Sequence, residues 1–443
     1  MADEKISLNK LFEETLKELE LGMNDWIKKG NLIGHLFSVP VKNDKGGWGI
    51  GPDSPNEIIP HWPDIVNNIF GNQLENLKNL PSLKRAFKKY YESDYPPPRQ
   101  SYSPDGGPDL THEIKLLMID FLGASIIKNN LIEFPQKITL IDRASDYLTR
   151  KVDIYYSISP LFGPKLDEEI EFSFGKLIPL NWEERVNLLK NKQSNSLNDF
   201  LNPVQISVVL NTEALISIVF EKKRERQNTL ILPTEIQYLM HNAFQLLRIY
   251  DYGILKVLWT DFFLESVSRR YRGSISPQID NHFFSQASDV YKIDNKSDFV
   301  YFFNTFLKSE RFEEGELTFI FNRLNEAWLR GRTIDFRVFD YVSILESLLV
   351  SANEGEFSFR VSAFVAAYSG KDSANKKEIY KLTKKAYGVR SKVAHCAKKI
   401  SKKEQLTPEE LRKLGKITHP IIRYAMEFGA EDLKKEAMNR LLS

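Results

Sequence analysis

An arginine and a histidine five positions apart are the residues of this chain whose types and spacing best suit chemistry. Arg390 and His395 lie in a segment whose apolar residues, Val389 among them, recur at helical spacing. On a helix with 100° per residue, both side chains fall outside the apolar stripe, with only the small residues Ala394 and Ser391 between them, and Lys398 lies in the same arc about two turns beyond Ser391. This arrangement leaves room for a polymer or a second subunit to approach closely.

The chemistry that this pair suggests is cleavage of a phosphodiester bond in RNA. Histidine exchanges a proton near neutral pH, and arginine stays charged and binds phosphate oxygens with a planar fork. Because RNA supplies its own nucleophile, the 2′-hydroxyl, neither a metal nor a cofactor is expected for this reaction. An arginine and a histidine at this spacing also occur by chance, so an ordinary solvated helix face is the alternative.

Positive charge is concentrated around the pair. Residues 371–403 contain twelve Lys and Arg against two acidic residues, a net charge of +10, whereas the whole chain carries +2 and the remainder therefore −8. Clustered Lys and Arg give salt-dependent affinity for phosphate without sequence preference. The sequence therefore predicts RNA contacts from Lys385, Lys392, Lys398 and Lys399.

Composition narrows the other function classes. A chain of 443 residues with 42% hydrophobic content indicates a folded protein of two to four domains. The single cysteine, Cys396, excludes an intramolecular disulfide and a zinc site built from a cysteine cluster. No apolar run approaches the roughly 20 residues of a membrane span, and the first residues lack a signal-peptide pattern, so we expect a cytoplasmic protein with no membrane partner.

Other motif candidates fail on their spacing. The glycine stretch 46–51 lacks the Gly-Lys-Ser/Thr ending of a phosphate-binding loop, and His112-Glu113 is not followed by a second histidine at zinc-protease spacing. The remaining histidines have no acidic or cysteine neighbours at ligand spacing, so they are predicted to be surface or hydrogen-bonded side chains. They are His35, His61, His241, His282 and His419.

The elements that position the pair divide the chain into three parts. Residues 1–233 read as an α+β domain with an amphipathic helix over 7–29 and a helix over 111–128. Residues 234–296 read as a helical connector that includes helices at 254–270 and 283–292, and residues 297–443 read as an all-α bundle. The predicted strands of the first part are 138–141, 152–158, 170–174, 204–210, 215–220 and 230–232.

The segment around Arg390 and His395 resembles the Arg-x(4–6)-His motif of HEPN domains, and specifically the Apea-like HEPN family. The resemblance covers three ordered blocks, 339–349, 357–370 and 379–395. It implies a helical bundle that dimerises, so that two such helices form one composite ribonuclease site. One departure is Cys396, since the family often has glycine after the motif histidine.

The resemblance also implies roles for individual residues. His395 would act as general base or acid, Arg390 would bind and polarise the phosphate, Ser391 would orient the site, and Glu346 would order Arg390 or a lysine. The expected function is a metal-independent RNA endonuclease, acting as an antiviral abortive-infection effector or a toxin. The expected partners are RNA, a second copy of the chain, and an antitoxin or a phage-derived trigger, with 1–233 as sensor. The alternative is a non-catalytic HEPN module that binds RNA or protein.

Overall fold

The chain folds into two units, each a compact set of contacts. The first comprises Met1–Phe162, Phe174–Tyr238 and Val257–Pro277, and the second comprises Gly163–Ser173, Leu239–Lys256 and Gln278–Ser443. The computed structural model describes residues 2–29, 34–38, 41–42, 48–49, 56–60, 78–92, 109–123, 126–128, 131–133, 137–194, 210, 212–223, 234–253, 255–264, 270–275, 291–309, 315–329, 333–350, 355–395 and 400–442.

Helices and strands are mixed up to Ile275, and in the described residues after it the named elements are helices. The earlier elements are α1 (Ala2–Lys28), β1 (Gly34–Ser38), β2 (Val41–Lys42), β3 (Trp48–Gly49), β4 (Asn56–Pro60), α2 (Leu80–Tyr91), α3 (Leu110–Gly123), β5 (Ile126–Lys128), β6 (Leu131–Glu133), α4 (Lys137–Thr149), β7 (Val152–Phe162), β8 (Ile170–Phe172), β9 (Gly175–Pro179), α5 (Trp182–Ser194), β10 (Ala214–Lys223), α6 (Thr234–Tyr250), β11 (Lys256–Val257), β12 (Thr260–Leu264) and β13 (Arg270–Ile275). The later ones are α7 (Lys296–Phe306), α8 (Gly315–Leu329), α9 (Ile334–Leu349), α10 (Phe357–Ser369), α11 (Ser373–Ala394), α12 (Pro408–Phe428) and α13 (Ala430–Leu442).

An antiparallel sheet forms the centre of the first unit. Its strands lie side by side in the order β13, β12, β7, β10 and β9. The long strand β7 alternates half-buried and buried residues over most of its length, the pattern of a strand with one covered face. Helix α1 packs on α4 in the same unit through residues spaced three and four apart, including Phe12 and Leu16. The chain is therefore a mixed α+β protein with a helical region.

Helix α9 is the centre of the second unit. It contacts α8, α10, α11, α12 and α13, and its buried residues lie all around its circumference. A helix that is apolar on every side needs partners on every side, which the surrounding helices supply. Buried α9 residues include Val338, Tyr341, Ile344, Leu345 and Leu348, each fully covered. The site residues of α9 and α11 therefore lie on elements fixed by this core.

Two predictions for the first 150 residues are wrong. Residues 138–141 belong to helix α4 and not to a strand, since Leu140, Ala144 and Leu148 bury one face at spacings of four. A short apolar run does not distinguish the two structures by periodicity alone. The helix predicted over 111–128 ends at Gly123, and Ile126–Lys128 forms a strand that pairs with Leu131–Glu133.

The helical connector predicted over 234–296 is also wrong in its middle part. The described residues within 254–270 form no helix, since β11, β12 and the start of β13 lie there. Strand β12 pairs with β7, about 100 residues earlier in the chain. The run Val257–Phe262 is rich in β-branched and aromatic residues, which suit a pleated surface, and long-range pairing selects the strand. The predicted boundary near 233 is correspondingly too simple, because residues 257–277 return to the first unit.

Several other predictions agree with the structure. The helix over 7–29 and the strands over 152–158, 170–172 and 215–220 are present, as are the helices that follow residue 296. The sequence also predicts helices over 374–387, 388–402 and 407–441. The first two form a single helix up to Ala394, and the third is broken at Gly429, whose φ is +93°. Predictions on 204–209, 230–232 and 283–290 lie outside the described residues.

Gly415 of α12 faces the ring of Tyr252, and a substitution there has a predictable cost. A Cβ atom at Gly415 would lie 2.1 Å from Cε2 of Tyr252, so the ring or the helix must move. We expect Gly415→Ala to lower the free energy of unfolding by about 1–3 kcal/mol, measured by urea denaturation. The matched control is Gly388→Ala in α11, where a Cβ atom meets nothing within 4 Å. That variant should gain up to about 1 kcal/mol, since alanine favours the helix over glycine. Equal effects of the two would contradict the close approach.

Candidate functional site

Helix α11 carries most of the predicted site residues. Asp372 caps its first turn by accepting a hydrogen bond from the Asn375 backbone N–H at 2.8 Å. Its buried residues, including Ile379, Ala386 and Val389, recur at helical spacing and pack on α9 and α10. This core stripe fixes the rotation of the helix, and therefore fixes where its polar side chains lie.

Arg390 is held against α9 by Glu346. Its Nη2 lies 2.5 Å from Oε2 of Glu346, and the hydroxyl of Tyr387 donates to Oε1 of the same carboxylate at 3.1 Å. The side chains of Arg390 and Glu346 are 26% and 19% exposed, so the pair is partly desolvated and stronger than a fully exposed one. Partial burial, and then the charge of Glu346, raise the pKa of Tyr387. The structure thus brings together Arg390 and Glu346, two of the four predicted catalytic residues.

A ladder of aromatic rings and guanidinium groups continues from Arg390 across three helices. Arg390 lies 5.8 Å from the ring centres of both Tyr387 and Phe339, and Arg323 lies 5.2 Å from Phe339 and 5.3 Å from Phe319. Cation–π contacts of this kind contribute about 0.5–2 kcal/mol each. Arg323 is anchored in turn by Asp340, at 3.2 Å. The Arg390 guanidinium therefore lies near two aromatic rings as well as against Glu346.

His395 lies at the end of α11 and projects into solvent. It is the C-cap residue, and its backbone N–H bonds to the carbonyl of Ser391 at 3.1 Å. Five residues along a helix correspond to a rotation of about 140°, so His395 and Arg390 leave the helix in different directions. Ser391 is half-buried, and its hydroxyl has no hydrogen bond to any described residue. The sequence predicts that Arg390 is exposed on the non-core side of the helix. That prediction is wrong, because α9 half-buries the Arg390 side chain.

The lysines predicted to bind RNA are already engaged where the structure describes them. Lys385 pairs with Glu410 at 2.8 Å, and Lys392 pairs with Glu404. Hydrogen bonds from Lys392, and then from Ser401, lower the pKa of Glu404 to about 2. The acidic residues just after 403 thus offset part of the +10 of residues 371–403. The other two predicted lysines, Lys398 and Lys399, lie outside the described residues, as does Cys396.

The residues that support the position of Arg390 indirectly, through other side chains, were not predicted from the sequence. Phe319 and Arg323 come from α8, about 70 residues before Arg390, and no local pattern links them to α11. The predicted resemblance did include the segments of Phe339 and Tyr387, but gave neither residue a role. Because these contacts depend on how three helices pack, only the tertiary structure places them at the site.

Comparisons with protein-family models, with curated proteins and with solved structures found no match for this chain. Within the described residues, no three His, Cys, Asp or Glu side chains come together as a metal-binding group requires. Over the same part of the chain, no helix has both the length and the apolar content that a membrane crossing needs.

Proposed function

We propose that this chain is a metal-independent RNA endonuclease of HEPN type. The observation that carries the proposal is the arrangement on α11, where Glu346 and the flanking rings hold Arg390 in place and His395 projects into solvent at the helix end. A fixed guanidinium suits a charge that develops on phosphate, and a solvent-facing imidazole suits proton transfer to and from a polymer. The role is that of an antiviral or toxin effector in the cytoplasm.

The proposed reaction uses one imidazole as base, a second as acid, and the RNA 2′-hydroxyl as nucleophile. An imidazole takes the proton of the RNA 2′-hydroxyl, whose oxygen attacks the adjacent phosphorus while the bond to the 5′-oxygen breaks. A second imidazole, protonated, gives its proton to that leaving oxygen. The products are a 2′,3′-cyclic phosphate and a 5′-hydroxyl end. Arg390 stabilises the equatorial oxygens with donors that Glu346 leaves free, since a guanidinium has five N–H groups and the ion pair engages Nη2.

A second copy of the chain completes the proposed site. Each chain offers one histidine in the motif, His395, whereas the reaction uses one base and one acid. In a homodimer with α11 close to its symmetry mate, His395 from both copies would serve, with Ser391 orienting them and Arg390 on the phosphate between. An antitoxin or a phage-derived trigger would then act by controlling access to this pair of helices.

The test is cleavage of single-stranded RNA in EDTA by the purified protein, with the end groups identified. The double variant Arg390→Ala/His395→Ala is the control for contaminating nuclease. We expect cyclic-phosphate ends from the wild type alone. Equal cleavage by both proteins, or cleavage that needs a divalent metal, would overturn the proposal.

One observation favours the alternative, a non-catalytic module that binds RNA or protein. Arg390 is already ion-paired, and about 140° of helix rotation separates it from His395, so a single chain does not present both groups to one phosphate. This alternative predicts RNA binding that persists in His395→Ala and no growth defect on overexpression. Growth arrest that disappears in His395→Ala would count against it.

A further inference from the structure

Three lysines of α11 form a row on its exposed side. Lys377, Lys381 and Lys384 are exposed and follow the spacing i, i+4, i+7, so they lie within about 60° of one another around the helix. Unlike Lys385 and Lys392, they have no carboxylate partner among the described residues. Their charge is therefore available to a ligand, and we call these three residues the lysine row.

The lysine row points along the helix to His395. Eighteen residues are five full turns, so His395 lies on the same line as Lys377, about 27 Å further along the axis. Gly388 lies between them, is exposed, and leaves open space where a side chain would stand. An extended polymer lying along this line would meet three positive charges, then the bare backbone at Gly388, and then the imidazole of His395.

Two aromatic side chains, Phe359 and Tyr380, lie beside the lysine row, and we call this pair the aromatic edge. Phe359 of α10 is 55% exposed although it is a large apolar side chain, and its ring packs edge-on against Tyr380 with centroids 6.3 Å apart. The Nζ of Lys384 lies 5.8 Å from the centre of the Tyr380 ring. Lysines that follow a backbone beside rings that stack on bases are the combination that binds single-stranded nucleic acid. A duplex keeps its bases stacked inside, so the rings would have no such role there.

We propose that the lysine row and the pair Phe359–Tyr380 bind single-stranded RNA whose backbone runs along α11 towards His395. The direction of the strand rests on the proposed function, whereas the binding does not. An acidic peptide is the competing occupant, because it also carries regularly spaced negative charge. RNA is favoured since the peptide would leave the exposed ring of Phe359 without a flat partner.

The test measures binding and not cleavage, in the full-length chain carrying His395→Ala. The probes are labelled oligoadenosine and oligouridine of about 20 nucleotides, titrated at several salt concentrations. Lys377→Gln/Lys381→Gln/Lys384→Gln should reduce the slope of log affinity against log salt by about 2, because each phosphate contact of a single strand contributes about 0.7. The matched control removes the same charge elsewhere in the second unit, with Lys292→Gln/Lys434→Gln/Lys435→Gln, and should leave the slope unchanged.

The aromatic edge is tested separately with Phe359→Ala. We expect roughly a 5- to 100-fold loss of affinity for oligoadenosine, which is the contribution of one stacked base, while the salt slope stays unchanged. Any one of four results would overturn the inference. The lysine-row variant and its parent could have equal salt slopes, or the charge-matched control could show an equal fall in slope. A hairpin duplex could bind equally well, or oligoglutamate at equal charge could displace the RNA. Binding with these signatures but no cleavage by the wild type would sink the proposed nuclease alone, whereas cleavage with unaltered binding would sink this inference alone.

Discussion

Replacement of His395 by alanine is expected to slow RNA cleavage by about 10²- to 10⁴-fold, the range that a positioned general acid or base contributes. His395 is exposed at the end of α11, so its loss should not change the fold. RNA affinity should change little, since binding depends on the lysines and the rings. The measurements are the single-turnover cleavage rate and, in parallel, the affinity for a non-cleavable 2′-deoxy strand.

Two comparisons make this prediction specific to His395. His112→Ala removes an exposed histidine of α3 in the first unit and should leave the rate unchanged. Mixed dimers of His395→Ala and wild-type chains test the composite site: because the reaction uses one imidazole from each copy, they should cleave about as slowly as the His395→Ala homodimer. Wild-type cleavage by a protein that remains monomeric at the assay concentration would contradict the dimer. An unchanged rate in His395→Ala would remove the histidine from the reaction.

The helix that carries the site was predictable from sequence because its signal is local. The apolar residues of α11 repeat at spacings of three and four, so both its existence and its buried stripe follow from the pattern. The resemblance implied that Glu346 orders Arg390 or a lysine, and in the structure Glu346 pairs with Arg390. The exposure of the Arg390 side chain was not predictable. Helical periodicity gives the direction of each side chain around its own helix, but not which neighbouring helix covers it.

The charge pattern illustrates the same limit. The sequence shows twelve basic residues around the motif, but not which of them meet a carboxylate. Glu404 and Glu410 follow the segment in sequence and return to Lys392 and Lys385, whereas the lysine row faces solvent. The i, i+4, i+7 spacing of the lysine row was visible in the sequence, but the lack of a carboxylate partner among the described residues was not. The strands β11 to β13 were missed for a related reason, because their pairing partner β7 is remote in the chain.

Acidification is expected to destabilise the second unit through His419 before carboxylates titrate. This histidine of α12 is 2% exposed, packs edge-on against Tyr252 at 5.3 Å, and lies near the backbone of Arg248 and Ile249 at the end of α6. It is therefore a buried core histidine and not a surface one. Burial lowers the pKa of His419 to about 4.

The sign of the pH dependence follows from that lowered pKa. Above pH 6.5 the imidazole is neutral in both the folded and the unfolded chain, and the stability is complete. Below pH 6.5 the unfolded chain takes up a proton that the folded chain does not accept until about pH 4, so stability falls across this window. The loss should be about 2 kcal/mol at pH 5 and about 3 kcal/mol at pH 4. Urea denaturation of the wild type at pH 7.5 and pH 5 measures it.

His419→Gln isolates this contribution, because glutamine keeps a hydrogen-bond donor but does not titrate. Its stability at pH 7.5 should be lower than that of the wild type, while its loss between pH 7.5 and pH 5 should be smaller by about 2 kcal/mol. His241→Gln is the matched control, since partial burial and then the charge of Arg248 also lower the pKa of His241. The larger share of the pH dependence should remain in that variant, because His419 is the more deeply buried of the two. An unchanged pH dependence in His419→Gln would show that the imidazole titrates equally in the folded and unfolded chain, which a side chain enclosed by Tyr252 and the end of α6 should not do.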